Sequence, residues 1–344
     1  MRFPRKVLKQ LIGNFSIEIR DIQGKLDASI GKEEIRLHYF LDDSYVLKIV
    51  TAKTLVPDDF NEMNMIMNNY RSMGIETPKL IETKEHSLYK EFVFKKKTFY
   101  CYVETYLEGE LLNKYESVNK EPIFEQVFAL LAKYSTKFKD QNVIQKKSMW
   151  ALDLKCVDDV YKDEKFENLI KLCDTLTKIG EIVLASRIKL YNKELRNALA
   201  TIYRDLPRCN YQGDLNSSNV LVKNDSLYGL IDFNLFGQEV VVNCFLDETA
   251  YFLDGDFFMK NPAKEQVDDI RRDFQRNFGA IKKYYSFSEL ERKAVPIIQR
   301  IILLSFYPNV IHLTYFLELG GYDRMMAIDY LNYILELDSK DFTI

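Results

Sequence analysis

The segment Tyr211-Gln212-Gly213-Asp214-Leu215-Asn216-Ser217-Ser218-Asn219, followed after a short alternating stretch by Ile231-Asp232-Phe233, concentrates the side chains best suited to chemistry in this 344-residue chain. Between them, Asn219 to Lys223 and Leu227 to Phe233 read as two strands joined by the polar turn Asn224-Asp225-Ser226. In an antiparallel hairpin the start of the first strand lies beside the end of the second. Asn219 and Asp232 therefore meet at one end of the ribbon, and Asp214 sits on the loop leading into that end. Carboxylate and amide oxygens are hard donors, and Mg²⁺ takes one or two carboxylates while keeping its remaining positions for phosphate and water. The pattern suits a site for a metal-bound nucleotide.

The elements that must position these groups divide the chain in two. In the first hundred residues, Glu34 to Phe40 alternates, Leu41-Asp42-Asp43-Ser44 turns, and Tyr45 to Val50 resumes as a strand, which makes a hairpin. After Pro57, with Asp58 or Asp59 as cap, Phe60, Met63, Ile66, Met67, Tyr70 and Met73 recur at helical spacing up to Gly74. Ser87 to Phe94 and Thr98 to Leu107 read as strands with Lys95-Lys96-Lys97 at their turn. Beyond Glu108 the period becomes helical, as in Ile123, Val127, Leu130, Leu131 and Tyr134. The expected organisation is a β-rich part over 1–107 and a mainly helical part over 108–344, interrupted by the hairpin that carries Asn219 and Asp232.

In order and spacing, this arrangement resembles the protein-kinase pattern of a strand lysine, a helix carboxylate, a D-x-x-x-x-N loop and an aspartate ending the next hairpin. The Gly213-Asp214-Leu215 form with Ile231-Asp232-Phe233 is similar to the aminoglycoside phosphotransferase and choline kinase group. The resemblance implies an α+β, bilobal protein-kinase-like fold with a small β-rich N-lobe and a larger helical C-lobe. It implies phosphoryl transfer from ATP or GTP to a hydroxyl of a small molecule such as an aminoglycoside, an amino alcohol, a sugar or homoserine. Asp214 takes the part of catalytic base, Asn219 and Asp232 hold Mg²⁺, Lys48 contacts the phosphates with Glu62 as its helix partner, and backbone groups of Glu104 and Tyr106 meet the nucleobase. Gln212 stands where the group usually has histidine, Asn234 follows Asp-Phe, and the segment Asp21 to Gly31 offers two glycines without a G-x-G-x-x-G. A nucleotide-binding pseudoenzyme of the same fold is the alternative these departures raise.

Asp247, Glu248, Asp254 and Asp256 form a second acidic cluster. One reading is an acidic wall for a cationic amine substrate. The preferred reading makes Asp247 a helix cap and Asp254-Gly255-Asp256 a polar turn. His38, His86 and His312 are scattered and support no hydrolase triad. With 48 basic against 51 acidic side chains the net charge is −3, so a nucleic-acid partner is not expected. The five cysteines have no C-x-x-C pair and read as reduced, buried thiols of a cytoplasmic protein. Ile301 to Leu317 lacks charge but holds Pro308, Asn309 and His312, which reads as a buried helix pair broken at Pro308 rather than as a membrane span.

Overall fold

The computed structural model describes residues 2–29, 33–116, 120–155, 160–251 and 263–344. The chain divides into two compact units, Met1–Glu116 with Ser217–Phe236, and Ser117–Asn216 with Gly237–Ile344. That division departs from the expected segments 1–107 and 108–344 in two places, because 108–116 and 217–236 both belong to the first unit. The hairpin at 220–230 pairs with the segment after Glu108 and so packs with the β-rich unit, not with the helices that flank it in sequence.

In the first unit, α1 (Arg5–Ile12) precedes an antiparallel sheet of β1 (Ile22–Asp27), β2 (Arg36–Leu41), β3 (Tyr45–Thr51), β4 (Leu80–Ile81), β5 (Lys90–Phe94) and β6 (Lys97–Thr105). Its order is β1-β2-β3-β6-β4, with β5 also pairing β6. Side chains alternate across a strand, so the register decides what each face carries. One face, including Leu37, Tyr39, Leu41, Leu47, Ile49, Cys101 and Val103, packs with Leu8, Leu11 and Ile12 of α1 into a buried core. The other face carries His38, Lys48 and Tyr102, which the register sets side by side as His38↔Lys48 and Lys48↔Tyr102.

Against that second face lies α2 (Pro57–Arg71), through the fully buried Phe60, whose ring meets Tyr100 and Tyr102 edge-on and stacks on Tyr89 at 4.6 Å. Burying such a ring contributes about 1.5–3 kcal/mol. Pro57 opens the helix with its fixed φ, and the Asp59 carboxylate accepts from the Val56 amide at 2.9 Å. The cap position is therefore Val56, with Asp59 reaching back from the first turn. Beside the sheet, β9 (Val220–Lys223) pairs with β10 (Ser226–Leu230) and with β7 (Glu110–Leu111). Asn224 and Asp225 both have positive φ, the backbone of a tight two-residue hairpin turn.

The second unit is built on α3 (Glu121–Phe138), α4 (Glu164–Lys178), α5 (Ile182–Tyr203), α6 (Val241–Tyr251), α7 (Ala263–Lys282), α8 (Glu289–Ser305), α9 (Tyr307–Leu319) and α10 (Gly321–Glu336). Its one two-stranded ribbon among the described residues pairs β8 (Arg208–Tyr211) with β11 (Gly237–Val240). A reciprocal cap between Ser288 and Glu291 starts α8. The pair α8 and α9 bends by 42° at Phe306, just before Pro308, as the sequence suggests. No single described helix is long and apolar enough to cross a membrane. Cys101, Cys173, Cys209 and Cys244 are buried free thiols, and Cys156 lies outside the described residues.

Candidate active site

Within the first unit, Lys48 is the centre of a buried polar cluster. Its Nζ lies 2.9 Å from Oε1 of Glu104 and 3.2 Å from Oδ1 of Asp232, and Lys48 is only 4% exposed. Glu104 stands two residues from Tyr102 on β6 and thus on the same face as Lys48. Burial alone disfavours the ammonium, but the two carboxylates outweigh that and hold Lys48 above its ordinary range. Asp232 balances the other way: burial pushes its carboxyl up, and the Lys48 charge brings it below the ordinary value. His38, buried and set across from Lys48, is lowered to about 4 by burial and then by that same charge, so its ring is neutral at pH 7.

Asp232 is presented by the hairpin. The Ile231 amide donates to the Asn219 carbonyl at 3.0 Å, which closes the ribbon and sets Asn219 beside the Ile231-Asp232 end. Asp232 itself has φ +57°, a left-handed conformation that costs a non-glycine residue of order 1 kcal/mol. Two contacts hold it there. Asn234 Nδ2 donates to Asp232 Oδ1, and the buried Tyr102 hydroxyl donates to Asn234 Oδ1 at 2.7 Å. Asn234, which breaks the familiar pattern after Asp-Phe, thus orients the aspartate. For Mg²⁺, the Asp232 carboxylate and the Asn219 amide are hard oxygen donors at one end of a ribbon, and the donor set fits.

The remaining expected residues of this unit are placed less simply. Glu62 is half-buried on α2, while the ion pairs of Lys48 run to Glu104 and Asp232. Glu104 therefore offers a side-chain role that the sequence reading, which used only its backbone, missed; the same-face spacing from Tyr102 is the signal that finds it. At the expected nucleobase segment, the Thr105 amide donates to the Lys79 carbonyl at 3.0 Å and the Tyr106 amide to the Ser44 carbonyl at 2.7 Å. The Tyr106 donor is therefore engaged within the protein.

In the second unit, the loop around Asp214 is braced from several sides. The Asp214 amide donates to Gln212 Oε1 at 2.7 Å, and the Asp214 carboxylate accepts from Asn216 Nδ2 at 2.7 Å. Trp150 Nε1 donates to the Gly213 carbonyl at 2.9 Å, and the Leu215 amide reaches Glu248 Oε1 at 3.3 Å. Gly213 has φ +87°, which only glycine adopts without strain. Gln212 is buried, and its amide oxygen does the bracing here.

The acidic cluster that follows is corrected by the structure. Asp247 lies inside α6 and caps nothing; its carboxylate is buried against Lys165 Nζ at 2.9 Å and accepts from Asn243 Nδ2 at 2.9 Å. Glu248 is equally buried, and burial, then the nearby Asp214 charge, push its carboxyl well above the ordinary range. Neither residue is an exposed anion, so they do not form a charged wall. Asp254 and Asp256 lie outside the described residues.

No protein-family model and no curated protein sequence matches the chain. Solved structures do. An amicoumacin kinase in complex with AMP-PNP, Ca²⁺ and its ligand superposes at a TM-score of 0.58 and 11% identity, over 96% of this chain and 93% of that one. The aminoglycoside phosphotransferase APH(2″)-IIia, in complex with GDP and kanamycin, gives 0.53 at 11% identity over 98% of each chain. A microcompartment-associated aminopropanol kinase gives 0.52 at 10% identity, over 96% of this chain and 95% of that one. The fold is the bilobal, kinase-like fold of the small-molecule kinases.

Proposed function

We propose that this chain is a small-molecule kinase that transfers the γ-phosphoryl group of ATP or GTP to a hydroxyl. The observation that carries the reading is the buried ammonium of Lys48 held between Glu104 and the hairpin aspartate Asp232. A free lysine is a floppy point charge, whereas one fixed by two carboxylates has a set direction, as a phosphate contact needs. Asp214 takes the part of the base that orients and deprotonates the substrate hydroxyl, with its loop fixed by Gln212, Trp150 and Glu248. Asn219 and Asp232 hold Mg²⁺, which when bound neutralises the charge that develops on the transferred group. Fold neighbours are named for amicoumacin, kanamycin and aminopropanol, which favours an amine-bearing alcohol or amino sugar as substrate class.

The test is consumption of MgATP and MgGTP with a panel of amino sugars, amino alcohols, sugars and homoserine. Asp214→Ala is expected to lower kcat by about 10²–10⁴ while nucleotide affinity stays within a few-fold. Unchanged turnover in Asp214→Ala removes the mechanism. Nucleotide binding without turnover on any acceptor selects the pseudoenzyme instead.

A further inference from the structure

We propose that Arg36 and His38 of β2 are phosphate-binding residues, donating from their side chains to the anionic oxygens of a nucleoside triphosphate alongside Lys48. The inference rests on the kinase reading and deepens it. Kinase-like sites commonly hold phosphates with backbone amides of a glycine-rich turn between the first two strands. Here the segment Asp21 to Gly31 has two glycines. Gly24 is committed to β1, paired with Phe40, and Gly31 lies outside the described residues.

The β2–β3 register sets Arg36 opposite Val50 and His38 opposite Lys48, so Arg36, His38 and Lys48 share one face of the sheet. His38 is 6% exposed and the Arg36 side chain 14%. Nε2 of His38 and Nε of Arg36 are buried and, among the described residues, have no hydrogen-bond partner. The Arg36 guanidinium reaches Glu34 through Nη2 at 3.3 Å, while Nε takes no part in that contact. Two buried nitrogens that the fold does not pair lie on the face of Lys48, where anionic oxygens of a ligand would satisfy Arg36 Nε–H and, in its Nε2–H tautomer, His38.

Charge leads to the same place. Lys48 is outnumbered by Glu104 and Asp232, and a polyanion therefore needs further donors nearby.

The test measures dissociation constants by calorimetry for MgATP and MgGTP, and for adenosine and guanosine as probes without phosphate, with melting temperatures of the free proteins alongside. His38→Leu and Arg36→Ala are each expected to weaken triphosphate binding at least 10-fold and to leave nucleoside binding within about 2-fold, while His38→Gln, which keeps a donor at the Nε2 position, stays within about 3-fold of wild type. Arg36→Lys, which keeps the charge and loses the planar fork, falls between. Lys48→Ala serves as the reference. Wild type binding no nucleotide overturns the kinase reading and this inference together. Wild-type binding that Lys48→Ala weakens but His38→Leu and Arg36→Ala do not overturns this inference alone. An equal loss of nucleoside and triphosphate also overturns it, because the two residues then only hold the sheet.

Discussion

Glu239 is the residue at which burial and pH meet most directly. It lies on β11, 1% exposed, with Oε1 accepting from the Val240 amide at 2.7 Å. Burial, and then the Asp247 charge, raise its carboxyl to about 8, against the partial relief of Lys165 and Arg208. A carboxyl raised on folding binds its proton more tightly in the native state, so its contribution is complete below the unfolded value near 4.5 and is lost as pH climbs through about 8. Glu239→Gln keeps the acceptor and removes the ionisation. Denaturant midpoints at pH 5, 7 and 8.5 are expected to agree at pH 5 and to favour the variant by a few kcal/mol at pH 8.5. Parallel profiles would show that folding does not raise the Glu239 carboxyl. Asp247, raised to about 6 by burial, adds its own slope to both proteins. At this scale the order along the chain pointed to Lys48 and Asp232 as partners of one site, and the two pair at 3.2 Å. The pairing of Lys165 with Asp247 was not legible, because the two are 82 positions apart and no local pattern links them.

The elements show where local pattern suffices. The β2–β3 hairpin, α2 and the β9–β10 hairpin follow from alternation, a proline start and a two-residue turn, all of which act between near neighbours in sequence. The strands β4, β7, β8 and β11 span two to four residues, too few for a period to register, and exist because a distant partner supplies their hydrogen bonds. In β11 the decisive feature is Gly237. A Cβ there would stand 2.3 Å from the Ser148 amide nitrogen and 2.5 Å from the Lys147 carbonyl carbon, both backbone atoms that cannot swing aside. Gly237→Ala is expected to cost about 3 kcal/mol, read as a lowered denaturant midpoint. Gly279→Ala is the contrast, since it sits in α7 with nothing within 4 Å of its Cβ and is expected to gain up to about 1 kcal/mol. Equal effects at the two sites would mean that close approach at Gly237 is not what matters.

Over the whole molecule, the chain's path sets what folds with what. A reading by residue number places a boundary at 107, because hydrophobic period changes there, yet period is blind to a later hairpin returning to an earlier unit. That return has many anchors. Leu112 donates to the Val220 carbonyl at 2.9 Å, Glu76 to the Tyr228 carbonyl at 3.1 Å, and Leu230 to the Glu76 carbonyl at 2.9 Å. Phe233, 1% exposed, meets the Tyr70 ring edge-on at 5.9 Å, and Asp232 reaches the buried Lys48. Cut away from 217–236, the fragment 1–116 loses the Phe233 ring against Tyr70 and the partner of β7, and leaves the buried Lys48 ammonium without its Asp232 contact, and removing a partner of a buried charge destabilises. Domains of this size have total stabilities of only about 5–15 kcal/mol. The fragment 1–116 is therefore expected to give no cooperative urea transition by circular dichroism, and joining 217–236 to it through a flexible linker is expected to restore one. A sharp transition for 1–116 alone, with no gain from the added hairpin, would show that the hairpin rests on the sheet without completing it.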